Sequence, residues 1–203
     1  MGKTLSIEDV PGHAEFVALG AIDGIRTDLR YATTANFVGA DMYSPFDCEW
    51  LHRDAAQALA KAATILAARR PDLELLVLDA LRPQRVQERM WSALEGTGLT
   101  EYLANPARGS IHSFGMAVDV TLAHRGGPEL DMGTGFDDLR NLSHPALEEG
   151  FLQRGDLLPE HVSNRQLLRA VMGEAGWLGI RTEWWHFDGG NREKIRAEYF
   201  RVL

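Results

Sequence analysis

Two short segments carry residue types able to do chemistry together: Ser110-Ile111-His112-Ser113-Phe114-Gly115-Met116-Ala117-Val118-Asp119 and Glu183-Trp184-Trp185-His186. They supply two imidazoles and two carboxylates. His112, Asp119 and His186 match the ligand set of a catalytic zinc site, which keeps three protein ligands and leaves the fourth position for water. Two neutral imidazoles and one ionised carboxylate carry a net charge of about −1, which leaves the ion electrophilic. A metal so held activates water near neutral pH and polarises a carbonyl, while the spare carboxylate, Glu183, moves protons. Service as a fourth ligand is the rival role for Glu183. These residues read as a zinc hydrolase.

Other elements must bring the two segments together. Asp54 is the expected cap of a helix whose apolar residues Ala55, Leu59, Ala62 or Ala63, and Leu66 recur at helical spacing, with Pro71 ending it. The apolar run Leu73–Asp79 predicts a buried strand that delivers Asp79 and Arg82 to a sheet edge. Pro83 then opens a second helix with Val86, Met90 and Leu94 on one face. A third is expected from Asn164, burying Leu167 or Leu168, Val171 or Met172, and Ala175, and stopping at Gly176. Residues an odd number apart on a straight strand point to opposite faces, so His112 and Asp119 cannot meet one ion along an unbroken strand. A bend at Gly115 is therefore required. Beyond it, Ala117, Asp119 and Thr121 share one face, and Val118, Val120 and Leu122 the other. The same parity argument predicts a bulge or a strand end between Glu183 and His186.

Composition narrows the class. At 203 residues one domain is expected, large enough to bury a core without disulfides. The single cysteine, Cys48, excludes an intrachain disulfide and reads as an inert thiol, since the metal set makes a cysteine nucleophile redundant. The N-terminus shows no apolar run of signal length and carries acids early, so a cytoplasmic location is expected. No stretch reaches the ~20 apolar residues of a membrane span. A net charge of −8 argues against a nucleic-acid partner. Arg69-Arg70, the one adjacent basic pair, falls at a predicted helix end, where cations favour the dipole. The Gly- and Pro-rich stretch from Gly126 to Gly135 is too short to separate domains. Oligomeric state is left open.

The pattern Ser-x-His-x-x-Gly-x-Ala-x-Asp at 110–119 resembles the signature of the D-alanyl-D-alanine dipeptidases of the VanX type. The wider metallopeptidase group also contains zinc D,D-carboxypeptidases and the hedgehog signalling domain. The resemblance runs from about Asp28 to about Phe187. Asp28-Leu29-Arg30-Tyr31-Ala32-Thr33, with Asn36-Phe37 and Gly39, is similar to the family's N-terminal block. Asp79-Ala80-Leu81-Arg82-Pro83 is similar to its arginine block, although a Gly-Tyr pair more usually stands where Ala80-Leu81 does. Met132-Gly133, Phe136-Asp137 and Ser143-His144 match the segment after the metal strand, and Glu183-Trp184-Trp185-His186 closes the set.

The resemblance implies one zinc ion on His112, Asp119 and His186, with Glu183 as general base and then proton donor to the leaving amine. It also implies that Arg82 stabilises the developing oxyanion, whereas residue type alone favours a salt bridge to Asp79. The implied substrate is a small zwitterionic dipeptide, D-alanyl-D-alanine, cut into two D-alanines. Asp137, helped by Tyr31 and Ser110, is then the ammonium anchor. Each has a plainer alternative: Asp137 as a loop acid or helix cap, Tyr31 as a packing residue, Ser110 as a turn former. His144, before Pro145, reads as structural. The expected fold is α+β, a single domain over 1–203 with a small, mainly antiparallel sheet carrying the zinc site and flanked by helices. Two alternatives remain: a zinc D,D-carboxypeptidase or endopeptidase on longer peptidoglycan peptides, and a non-catalytic hedgehog-like zinc module. Asp137 counts against the first, and Glu183 with Arg82 against the second.

Overall fold

The structure, a computed structural model, describes residues 2–96 and 105–203. Its strands are β1 (Thr4–Leu5), β2 (Phe16–Ala18), β3 (Ile25–Thr27), β4 (Trp50–His52), β5 (Leu73–Asp79), β6 (Ala117–His124), β7 (Leu178–Gly179), β8 (His186–Asp188) and β9 (Arg201–Val202). Its helices are α1 (Arg53–Arg69), α2 (Gln84–Leu94), α3 (Glu148–Arg154), α4 (Pro159–Ala175) and α5 (Arg192–Glu198). Among the described residues, one five-stranded sheet runs in the order β3-β5-β6-β8-β7. Its β3–β5 pair is parallel and the other pairs are antiparallel. The fold is therefore α+β, with a mainly antiparallel sheet and flanking helices.

All seven residues of β5 are buried, because both sheet faces are covered. Leu75 and Val77 join Val118, Val120 and Leu122 of β6 and Phe187 of β8 in the main core, with Leu59 and Leu66 of α1 and Leu168, Val171 and Met172 of α4. On the opposite face Leu76, Leu78 and Ala123 pack with Phe136. The face alternation expected along β6 is the one observed. The expected sheet edge is not: β5 lies between β3 and β6, so Asp79 and Arg82 emerge at the end of an interior strand. Three-residue β3 supplies the outer neighbour, too short to register as an alternating pattern.

Helix starts differ from expectation in three places. The cap of α1 is His52, whose Nδ1 accepts from the Asp54 amide at 3.2 Å; Asp54 itself sits in the first turn, where an acid complements the dipole. Pro83 is the capping position of α2, its ψ of 151° still extended, and the helix proper begins at Gln84. Helix α4 starts at Pro159 rather than Asn164, with Val162 and Arg165 on its buried side. A buried arginine breaks the apolar stripe that marks a helix in sequence. The seven-residue helices α3 and α5 were not anticipated, being too short for periodicity to show.

Arg69 and Arg70 have structural roles, paired with Glu174 and Asp72. Cys48 is buried, and burial pushes its thiol well above the ordinary range, so it is unreactive. No described helix is long and apolar enough to cross a membrane.

Candidate metal centre and its cleft

Strand register assembles the site. Pairing sets His186 of β8 opposite Asp119 of β6, and Asp79 of β5 opposite the same Asp119. The three residues form one row across adjacent strands. Reaching it requires an irregularity in β5, since Val77 faces Val120 and the next pair is Asp79 with Asp119. The extra residue, Leu78, turns Asp79 onto the Asp119 face, which an even register would deny it. Gly115 makes the predicted bend: at φ 62° it reverses the chain between the turn Ile111–Phe114 and β6. A Cβ there would lie 2.7 Å from the His52 amide nitrogen. Glu183 stands in irregular backbone ahead of β8, the strand end that parity demanded.

The ligand atoms converge. His112 Nε2 lies 3.2 Å from His186 Nδ1 and 3.5 Å from Asp119 Oδ1, and His186 Nδ1 lies 2.9 Å from that oxygen. Four-coordinate ligands at the usual zinc distances stand about 3.3 Å apart, so the triangle has the right size for such an ion. The far ring nitrogens support this reading. His112 Nδ1 donates to the Ala80 carbonyl at 2.8 Å, and His186 Nε2 to Asp188 Oδ1 at 3.1 Å. Each imidazole in its neutral form therefore aims a lone pair at Asp119, and three electron-rich atoms converge on a point that calls for a cation. The protein groups alone meet that demand with a proton. Burial opposes charge on His186, but hydrogen bonds to Asp119 and Asp188 push it up to about 10. Burial likewise opposes the Asp119 carboxylate, yet His112 and His186 hold it well below the usual range.

The same cleft, a cavity of about 280 Å³, is lined by all eight residues singled out in the sequence: Tyr31, Arg82, Ser110, His112, Asp119, Asp137, Glu183 and His186. Glu183 Oε2 is 4.0 Å from His186 Nδ1, and its side chain keeps 21 % exposure. Burial raises its pKa above the ordinary carboxylate value. Arg82 makes the salt bridge to Asp79 and also lines the cleft. Its Nε donates to Asp79 Oδ2 at 3.0 Å, while its Nη2 also pairs with that carboxylate and lies 3.7 Å from Asp119 Oδ2. Asp79 is fully buried and also accepts from Tyr43 and the Ala80 amide, so it works as the fixed base on which the guanidinium is aimed.

Tyr31 donates to Asp137 Oδ1 at 3.0 Å, and the Phe37 amide to Oδ2 at 3.4 Å. Asp137 is thus held against the cleft, and its neighbour Asp138 is the loop acid, neutralised by Arg140. Burial and then the Asp119 charge push the Asp137 carboxyl up to about 8. It adopts φ 61°, a left-handed conformation that Asp tolerates better than most residues. Ser110 is buried at the start of the turn that carries His112. His144 is the capping position of the short turn Pro145–Leu147 and is not among the three grouped metal-ligating residues.

Asp188 and Arg165 escaped the sequence reading. Asp188 follows His186 by two on a strand, so both face the cleft, and that spacing was the available signal. Its second oxygen takes Arg192 Nε at 2.6 Å, which anchors the pair to α5. Arg165, fully buried, donates to the Met132 carbonyl at 2.7 Å and to Thr134 Oγ1 at 3.2 Å. Thr134 also receives Trp184 Nε1 at 2.8 Å, tying the Asp137 loop to the Glu183 segment. Nothing local in sequence distinguishes Arg165 from a surface arginine on α4.

The family described as D-ala-D-ala dipeptidase (Peptidase_M15) matches residues 13–203. The chain belongs to this family. The match extends past both ends of the stretch, 28–187, over which the sequence resembled it. Among curated relatives, the D-alanyl-D-alanine dipeptidase of Escherichia coli (strain K12) is 38% identical over 86% of this chain and 84% of its own length. That of Enterococcus faecium is 30% identical over 82% of this chain and 86% of its own. The solved structure of the LdcB LD-carboxypeptidase covers 90% of this chain and 71% of that one, at TM-score 0.48 and 17% identity. Membership makes the chain a peptidase, and the His112, Asp119, His186 group gives it a candidate metal site.

Proposed function

We propose that the chain hydrolyses D-alanyl-D-alanine to two D-alanines with one zinc ion on His112, Asp119 and His186. The observation that carries the reading is the convergence of two imidazole lone pairs and a carboxylate in a cleft that also holds a raised-pKa Glu183 and an anchored Arg82. Zinc bound there supplies Lewis acidity to the attacking water and the scissile carbonyl. Glu183 takes a proton from that water and passes it to the leaving amine, and its burial moves its pKa toward that task. Arg82 offers N–H donors to the carbonyl oxygen as negative charge develops on it. Asp137 takes the substrate ammonium, with Tyr31 fixing its orientation and Ser110 lining the cleft beside the first ligand. The modest cavity favours a small substrate over a peptidoglycan strand.

In this reading residues 1–203 act as one catalytic domain. We assign it to the cytoplasm, where the lone buried Cys48 stays a thiol; cell fractionation checks this. The deciding assay is D-alanine release by zinc-loaded protein from D-alanyl-D-alanine, L-alanyl-L-alanine and an N-acetylated D,D-tripeptide. Cleavage of the free D,D-dipeptide alone is expected. Cleavage of the blocked tripeptide would make the protein a carboxypeptidase, and inertness with zinc bound would leave a non-catalytic module.

A further inference from the structure

Helix α5 packs on the turn that carries His112 and puts two arginines, Arg192 and Arg196, on the cleft wall. Their partners differ. Arg192 is matched by Asp188. Arg196 makes no ion pair among the described residues. Its Nε donates to the Arg108 carbonyl at 3.2 Å, its Nη2 to the Gly109 carbonyl at 3.2 Å and its Nη1 to the Arg192 carbonyl at 3.5 Å. A guanidinium has five N–H donors, so these bonds fix its plane and leave donors free. The charges acting on it most are the cations Arg108 and Arg192, then the acid Asp188, which His186 and Arg192 already occupy, and then the cation Arg201. Among the described residues the cleft thus holds a backbone-tethered cation with no ion-pair partner of its own. Asp137, the acid of the same cleft, belongs to a different wall, with Tyr31 and Phe37.

We propose that Arg196 receives the free α-carboxylate of the dipeptide, which makes α5 the element that selects for a free C-terminus. This rests on the dipeptidase reading and completes it: a zwitterion needs a cationic receptor as well as an anionic one. A planar guanidinium held by carbonyls is suited to a carboxylate, since two parallel hydrogen bonds form without reordering a flexible side chain. Crowding by neighbouring cations adds to the attraction for an anion.

Arg196 also braces the segment leading to Ser110 and His112, so the test must separate receptor from brace. Loss of a brace lowers turnover on every substrate alike, whereas loss of a receptor acts on KM for substrates bearing the carboxylate. Kinetics of wild type, Arg196→Gln and Arg196→Lys on D-alanyl-D-alanine and on its C-terminal amide make the distinction. Wild type is expected to favour the acid by about 30-fold or more in kcat/KM. Arg196→Gln is expected to cost the acid about 30-fold more than the amide, through KM, with Arg196→Lys recovering part. Equal losses on both compounds, or an unchanged preference, overturn the receptor. Should melting curves show that Arg196→Gln does not fold, the wild-type ratio decides, and a ratio near one overturns the proposal. Wild type that cleaves neither compound overturns the dipeptidase reading and the receptor with it. Cleavage with preference retained in Arg196→Gln overturns the receptor alone.

Discussion

Asp188 acts on the candidate metal site through His186. Its carboxylate fixes which imidazole nitrogen faces the cleft, and burial, which opposes its ionisation, is outweighed by the His186 hydrogen bond and by Arg192. Removing such a partner typically weakens metal binding about 10–100-fold. Asp188→Ala should do so in a competition titration against a chelator, and Asp188→Asn, which keeps an acceptor oxygen, should recover part. Equal affinity in all three proteins would leave Asp188 without this role. Asp137 gives a pH prediction. Its carboxyl, pushed up to about 8, is largely protonated at neutrality and must ionise to hold an ammonium. KM for the dipeptide should therefore fall as pH rises from 6 to about 8. Because the folded pKa exceeds the unfolded one, ionisation erodes stability as pH rises from the ordinary carboxylate value through about 8. Asp137→Asn should remove the KM trend, raise KM about 30-fold and melt higher than wild type at pH 9. A pH-independent wild-type KM would contradict this.

At the level of elements, two departures from regular backbone place the ligands. One is the extra residue in β5 that turns Asp79 under Arg82; the other is the left-handed Gly115 between His112 and Asp119. Gly115→Ala adds a left-handed penalty of about 1–2 kcal/mol. The added Cβ would also collide with the backbone of β4, at 2.7 Å from the His52 nitrogen, and backbone cannot swing aside as a side chain could. Lower thermal stability is expected together with weaker metal binding, read by calorimetry and chelator competition. Loss of stability with metal affinity intact would mean the bend matters for packing only. Arg165 has a comparable office on the far wall, where it joins the Met132 carbonyl and Thr134 to α4 and so holds the loop that carries Asp137.

Across the whole molecule, a metal bound at the candidate site would compete with a proton for one place. His186, pushed up to about 10, holds a proton that a metal must displace, so binding releases it and affinity should rise about tenfold per pH unit between 7 and 9. The metal-free fold has the opposite trend. A histidine whose folded pKa is raised stabilises fully below its ordinary pKa, and that contribution is lost as pH rises toward about 10. The gap in melting temperature between loaded and chelated protein should therefore widen from pH 7 to 9. A constant gap would show that His186 does not carry this proton.

The sequence by itself determined the chemistry and its parity. Residue types at 112, 119, 183 and 186 pointed to a candidate metal site with a carboxylate beside it, and period-two alternation demanded both the Gly115 bend and a break before His186. The buried strand at 73–79 and the apolar faces of α1, α2 and the later part of α4 were legible, because burial imposes a local period. Tertiary structure decided what has no local signature. Whether Arg82 serves Asp79 or the cleft depends on the β5 irregularity, and it does both. Arg165 and Arg196 owe their positions to backbone carbonyls 33 and 87 residues away, through helix docking. A side chain's type follows from its codon, but its pKa, its orientation and the charge beside it follow from which distant backbone it is packed against.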